Sequence, residues 1–327
     1  MPDSGNTHRL LATGDLIPAA WADLSEGGLV RAFNPGLTAD GSGGWLLAYR
    51  LVGQDAKRRI GICRLDAKGA VITGSAQPLS DSFRLRPGCL YPAEAYTWFA
   101  DPRLFRLGGR LFVYWNSGWH EPRNHQFVQE IDPTALTAIG HAHELLLDGP
   151  RQKLEKNWTV FEHVERALAI YSVQPQRVLT FEANEPGDWL MRELASTAWS
   201  APSYPPCHGG LRGGTPPVLH AGQFWSFCHT VHDGPDGYCY NAAAYTFAAA
   251  APFAPIAAPK SSLQLAPLPV PPRAYPKLNP AVGEVVYPCG AARSGAGWLI
   301  SYGLNDERCG ISWVSDATVA DSLHAIG

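Results

Sequence analysis

The chain has 327 residues, 46% of them hydrophobic and 17% charged, enough for two average domains or one large β domain with a sizeable core. Its 26 basic and 29 acidic residues give a formal net charge of −3, which leaves no electrostatic reason to expect nucleic acid or an anionic membrane as partner. The 33 glycines and 28 prolines interrupt the sequence too often for long helices.

The N-terminal stretch MPDSGNTHRLLATGDLIPAAW has no basic segment followed by an apolar one, and no segment reaches membrane-spanning length. A soluble cytoplasmic protein is therefore expected. Five composite units follow in order: FNPGLTADGSGGWLLAYRL, FADPRLFRLGGRLFVYWNS, EKNWTVFEHVERALAIYSV, RGGTPPVLHAGQFWSFCHT and VYPCGAARSGAGWLISYGL. Each has a polar or Pro-containing opening, a strand-like run, a tight turn, and a hydrophobic run of period two. After them come further β-like runs such as RRIGICRLD, HQFVQEID, QRVLTFEA, NAAAYTFA and CGISWVSD, which suit outer strands.

The openings are spaced by 67 residues (Asn34 to Asp101), 56 (to Asn157), 58 (to Thr215) and 73 (to Pro288). Five units of this size predict an all-β protein, a five-bladed β-propeller with long loops, spanning residues 1–327 as one domain. Blade cores are expected at about residues 30–75, 95–140, 153–195, 209–250 and 281–318. A β-sandwich is the competing architecture. The Pro-rich stretch from Ala251 to Pro280 reads as an ordered excursion between blades, with a disordered segment as the alternative. Seven cysteines include Cys207, Cys228 and Cys239, but none has the close spacing of a metal site, so reduced buried thiols are expected and no metal.

In a propeller the first strand of every blade lines a central channel, so equivalent openings converge on one end of the axis. Asp101 and Arg103 should then face a funnel together with Asn34, Lys156, Asn157, Arg212 and Pro288. This accounts for an Asp-Pro-Arg sequence at the mouth of a strand, where Asp and Pro are otherwise poor residues.

The five openings, in this order, resemble those of glycoside hydrolase family 130, five-bladed propellers that are mostly inverting β-mannoside phosphorylases with some hydrolases. The similarity runs over residues 30 to 315, and order and spacing are its specific part. By position, the resemblance makes Asp101 of DPR the catalytic acid. It makes Asn34 of FNPG, Arg50 of LAYR and Asp306 of YGLND sugar-binding; Arg103, placed at the funnel with Asp101 by the propeller argument, is a further expected substrate contact. It makes Lys156 and Asn157 of KNW, Arg212 of RGGTPP and His229 of FCH phosphate-binding. One departure stands out: phosphorylases carry a basic residue before the proline of the third hairpin, and this chain has Gln174, with Arg177 three residues later as a substitute.

Cleaving a glycosidic bond requires a proton for the leaving oxygen and a nucleophile on the opposite face of the sugar. Inverting hydrolases use two carboxylates for this, whereas a phosphorylase replaces the second with cations that hold phosphate. Ordinary roles compete at every position: a turn acid or an Asp101–Arg103 ion pair, solvated surface charge at Lys156 and Arg212, a buried hydrogen-bonded histidine at His229 or His232. Glu94, Glu121, Glu162, Asp233 and Glu284 are the candidate second carboxylates, and Tyr91, Tyr96, Trp98, Trp119 and Trp158 the candidate sugar-stacking rings. The resemblance implies an oligosaccharide or glycoside substrate, no cofactor beyond inorganic phosphate as co-substrate, and compatibility with a homo-oligomer. A related mannosyltransferase and a catalytically silent carbohydrate-binding propeller are the alternatives.

Overall fold

The period-two runs become antiparallel strands that bury apolar side chains on both faces, as strands sandwiched between neighbouring blades must. The computed structural model describes residues 6–26, 28–89, 91–117, 124–152, 154–183, 187–201 and 210–326. A short strand β1 (Thr7–Leu10) comes first. The first blade contains β2 (Arg31–Ala39), β3 (Trp45–Val52) and β4 (Arg58–Leu65). The second is β5 (Phe99–Leu107), β6 (Arg110–Ser117), β7 (His125–Asp132) and β8 (Thr137–Leu147). The third is β9 (Thr159–His163), β10 (Arg166–Ser172), β11 (Gln176–Phe181) and β12 (Trp189–Thr197).

The fourth blade is β13 (Val218–His220), β14 (Gln223–Gly234), β15 (Gly237–Ala248) and β16 (Pro255–Pro259). The fifth is β17 (Val282–Ser294), β18 (Gly297–Leu304) and β19 (Arg308–Ser315), followed by a short helix α1 (Asp316–Asp321) and β20 (Leu323–Ala325). Strand β1 pairs antiparallel with β19, Thr7 opposite Trp313 and Leu10 opposite Gly310. The N-terminal strand thus completes the last blade, a role its sequence did not announce.

Five apolar clusters close the ring, each joining two consecutive blades. Leu46, Ile60 and Ile62 of the first blade meet Val113, Trp115 and Phe127 of the second. Tyr114 and Val128 meet Trp158 and Trp189 of the third. Phe161 and Ile170 meet Phe224 and Tyr245 of the fourth, and Phe227 and Ala244 meet Trp298 and Ile300 of the fifth. Leu37, Leu47 and Tyr49 of the first blade pack on Leu299, Cys309 and Ile311 of the fifth. That cyclic order is the five-bladed β-propeller expected from the repeats, and it excludes a two-sheet sandwich.

The innermost strands approach closely around the axis. A Cβ added to Gly290 on β17 would lie 2.1 Å from the Leu37 backbone nitrogen on β2. One added to Gly213, ahead of β13, would lie 2.3 Å from the Asn157 carbonyl oxygen. Both glycines are there because two backbones must pass without a side chain between them.

The Pro-rich excursion is ordered, and it folds back onto the fifth blade. The buried carboxylate of Glu307 accepts from the backbone N–H groups of Ala274 at 2.9 Å and Tyr275 at 3.2 Å. Arg273 donates to the carbonyls of Asn305 and Gly283, and Arg31 donates to Pro276 at 2.7 Å. These contacts carry Leu278, Asn279 and Pro280 to the channel mouth.

Candidate active site

Asp101 interrupts β5 in a particular way. The register of β5 against β6 shifts between Ala100 and Arg103, and Asp101 has φ of 52°. Asn34 does the same on β2, with a shift between Phe33 and Gly36 and φ of 51°; Asn157 has φ of 64° and Asp306 φ of 56°. Asp and Asn are the residues that tolerate the left-handed region best, and a bulge re-aims the side chain that forms it. At two of these positions the next residue is proline, which cannot donate to the ladder in any case. The sequence therefore stores local strain where four blades turn polar side chains toward one axis.

Those side chains line one cavity of about 410 Å³, walled by residues of all five blades. Asn34, Arg50, Asp101, Lys156, Asn157, His229 and Asp306 all face it. Asn34 Nδ2 donates to Asp101 Oδ1 at 2.8 Å, and Arg50 Nη1 lies 3.5 Å from the same oxygen. Burial by itself would push the Asp101 carboxyl up. The guanidinium of Arg50 and the amide of Asn34, with smaller help from Arg103 and Lys156, outweigh burial and hold it below the usual carboxylate value. Asp306 moves the other way: burial raises it, with the Asp101 charge adding, and Arg50 only partly compensates. Two carboxylates in one cavity are thus pushed apart, Asp101 toward its ionised form and Asp306 toward its protonated one.

Facing them is a cationic side. Burial lowers the Lys156 ammonium, Asp101 pulls it back up, and the nearby Arg212 guanidinium lowers it again. His229 is 1% exposed and its Nδ1 has no hydrogen-bond partner. Burial, then Arg212 and Lys156, hold its imidazole well below its ordinary value, so the ring is neutral. The ring stacks on Tyr240 with centroids 5.4 Å apart and meets Tyr287 edge-on at 4.7 Å.

Three residues expected to face the cavity, Arg103, Arg212 and Pro288, do not line it. Arg103, expected to touch substrate, is 1% exposed and lies beneath the cavity floor. Its Nε donates to the Gly214 carbonyl at 2.6 Å and its Nη2 to the Tyr287 hydroxyl at 2.6 Å. Tyr287 in turn donates to Asn157 Oδ1 at 2.9 Å. Arg103 thereby ties the second blade to the third, fourth and fifth, because the bulge at Asp101 turns the two side chains apart. Arg212, half-buried, stands behind the wall, its backbone bridged to His229 at 2.9 and 3.0 Å.

Pro288 is buried in β17 while its neighbour Tyr287 takes the place in the cavity wall. Gln174 points at the fourth blade's opening, where its Oε1 accepts from the Leu211 N–H at 2.7 Å. Arg177 does not replace a cation there, since it pairs with Glu193 at 2.5 Å and lies over Tyr171.

Of the candidate second carboxylates, Glu94, Glu162, Asp233 and Glu284 do not line the cavity; among the described residues it is Asp306, expected to bind sugar, that joins Asp101 there. Trp98 is the candidate ring that lines it. Trp158 is buried against Tyr171, Tyr91 packs on Phe127, and Tyr96 is exposed. Trp119, Glu121 and Cys207 lie outside the described residues. Sequence reading missed Arg58, Asn116, Tyr240, Tyr287 and the Leu278–Pro280 segment. Period-two alternation would have assigned Tyr240 and Tyr287 to blade packing.

Among the described residues no cluster of three or more His, Cys, Asp or Glu is arranged to hold a metal ion. No helix among them is long and apolar enough to cross a membrane.

Comparison with known proteins places this geometry. No protein-family model and no curated protein matches the chain. Solved structures do. One is a β-1,2-mannobiose phosphorylase from Listeria innocua in complex with β-1,2-mannobiose, at TM-score 0.62 and 17% identity, covering 97% of this chain and 99% of that one. A second comes from work on the GH130 family of mannoside phosphorylases, which contains glycoside hydrolases that target β-1,2-mannosidic linkages in Candida mannan; its TM-score is 0.62 at 14% identity, over 88% and 85% of the two chains. A third is a mannose phosphorylase from Leishmania mexicana in complex with phosphate ion, at TM-score 0.55 and 14% identity over 91% and 87%. At such identities the likeness establishes the fold: the chain has the five-bladed propeller of glycoside hydrolase family 130.

Proposed function

We propose that this protein is a carbohydrate-active enzyme that cleaves a β-mannoside or related glycoside with inversion, using phosphate as nucleophile and Asp101 as proton donor. The observation that carries this reading is the meeting, in one cavity, of a carboxyl group on the second blade and the Lys156 cation of the third, with Arg212 behind it. Two cations held close together in a part-buried wall repel each other, and an anion seated between them relieves that repulsion. Neutral His229 and the Asn157 amide supply polar contacts without further charge. A sugar ring bound between the two sides presents its anomeric carbon to phosphate on one face and its leaving oxygen to Asp101 on the other. The phosphate oxygen forms the new bond to C1 as the glycosidic C1–O bond breaks, and the Asp101 proton goes to the departing oxygen.

In the free cavity Asp101 is held ionised by Arg50 and Asn34. That state suits the reverse reaction, in which the same carboxylate takes a proton from an acceptor hydroxyl. Cleavage requires the protonated form, so its rate falls as pH rises through the carboxyl's value in the complex. Water as nucleophile is the second reading, favoured by Asp306, the other carboxylate in the cavity. The six described cysteines are all free thiols, which suits a reducing compartment such as the cytoplasm.

Incubation with β-mannosides, with and without phosphate, separates these cases. Phosphate-dependent release of mannose 1-phosphate supports the reading; phosphate-independent release of mannose means hydrolysis. Transfer of mannose from an activated sugar means a transferase, and binding without turnover a silent lectin-like propeller. An Asp101→Asn variant with full activity would refute the assigned acid.

A further inference from the structure

We infer that the same cavity holds a second anion subsite, at Arg58, for a carboxylate or phosphate carried by the sugar on the leaving side. This rests on the glycoside reading of the cavity. Among the described residues the wall contains three cations, Arg50, Arg58 and Lys156, against the two carboxylates Asp101 and Asp306, in a chain whose overall charge is −3. Arg50 is matched to Asp101 at 3.5 Å, and Lys156 belongs to the nucleophile's side. Arg58 has no such assignment.

Its surroundings distinguish it from its neighbours. The Arg58 guanidinium lies 3.6 Å from the centre of the Trp98 ring, held there by a backbone bridge between the two residues. Among the described residues its guanidinium donates to the Ala56 carbonyl, and its buried Nε has no partner. No carboxylate among the described residues pairs with it. The next residue, Arg59, turns away and pairs with Asp55 at 2.6 Å. Burial, with Arg50 adding, lowers the Arg58 guanidinium to about 10, so it stays charged at neutral pH. A guanidinium held over an indole keeps a planar edge of N–H donors, the geometry that grips a carboxylate or phosphate with two parallel bonds.

Position assigns this anion to the leaving unit. Arg58 and Trp98 occupy the seam between the first and second blades, the two blades that also bring Arg50 and Asp101 into the cavity wall. Lys156, Asn157 and His229 come from the third and fourth. With inversion, phosphate attacks from the face opposite the leaving oxygen, and Asp101 marks the leaving side. A hexuronate or a hexose phosphate in that place would set its negative group against Arg58.

The test is equilibrium binding of glucuronic acid, glucose 6-phosphate and neutral glucose, followed by calorimetry or Trp98-sensitive fluorescence, on the full chain and on Arg58→Gln and Lys156→Gln variants. The expected result is that a charged hexose binds at least about tenfold tighter than glucose, the weight of one charge-assisted contact. The preference should shrink with added salt, disappear in Arg58→Gln and survive in Lys156→Gln. A preference for glucuronic acid alone identifies a uronate, and for glucose 6-phosphate alone a phosphosugar. Should Arg58→Gln fail to fold, Arg58→Lys keeps a charge without the flat stack and should retain a weakened preference. Equal binding of charged and neutral sugars, or a preference abolished by Lys156→Gln instead, overturns the subsite. Turnover of neutral β-mannosides alongside such a null result would leave the proposed reaction intact; Arg58-dependent binding without any turnover would do the reverse.

Discussion

Replacing Arg103 by methionine keeps the length of the side chain while removing its donors and its charge. In the native fold this 1%-exposed residue donates to the Gly214 carbonyl and the Tyr287 hydroxyl, both at 2.6 Å, and so fixes the Tyr287–Asn157 hydrogen bond. Arg103→Met leaves two interior acceptors without donors, at ~1–3 kcal/mol each. Removing a buried charge returns part of that, so the net loss should be about 2–4 kcal/mol. In a chain of 327 residues that corresponds to a melting temperature lower by about 3–6 °C, measured by thermal denaturation followed through tryptophan fluorescence. Arg103 also helps hold Asp101 down. Its loss lets the carboxyl keep its proton to higher pH, and the basic limb of the cleavage profile moves up. A variant that melts within about 2 °C of the parent, with an unmoved limb, would refute the role given to Arg103.

Asp306→Asn should raise heat stability at neutral pH while lowering activity at least about tenfold. Burial, then the Asp101 charge, raises this carboxyl, so its contribution to stability is present below the unfolded value and lost as pH rises through the folded one; thermal melts and product assays at several pH values check both halves. The His229 ring should keep constant proton resonances between about pH 8 and pH 6, because burial and then Arg212 hold it neutral. As pH falls below the unfolded value the unfolded chain takes the proton first, so stability declines there, and less steeply in His229→Gln. Millimolar inorganic phosphate should raise the melting temperature of the parent and leave Lys156→Gln unchanged, since only a ligand of the folded state stabilises it. Gly290→Ala drives a methyl group into the Leu37 backbone at 2.1 Å, and denaturant titration should register a loss of about 1–3 kcal/mol or more as the first and fifth blades are forced apart.

Period-two runs and their spacing were enough to specify hairpins, their number and their order, because alternation of apolar side chains is a local property that survives into the blades. The same regularity placed Asn34, Asp101, Lys156 and Asn157 at equivalent openings of their units, and equivalent ends of a ring meet; His229 and Asp306 came from the family resemblance. What lay beyond the sequence was direction. Asp101 and Arg103 are two residues apart and would share one face of a regular strand; the bulge sends one into the cavity and the other under its floor. Tyr287 and Tyr240 read as packing residues, yet they form the wall, since β17 and β15 run parallel there with Tyr238 opposite Val282 and Tyr240 opposite Val285. Thr7–Leu10 carries no mark of its pairing with β19, because the partner lies at the other end of the chain. Arg58 earns its place only from a bridge to Trp98 across forty residues of sequence. Local chemistry determined which strands form and which residues can bear strain. Closing five blades into a ring decided which of those side chains see one another, since that depends on backbones far apart in sequence being pressed together.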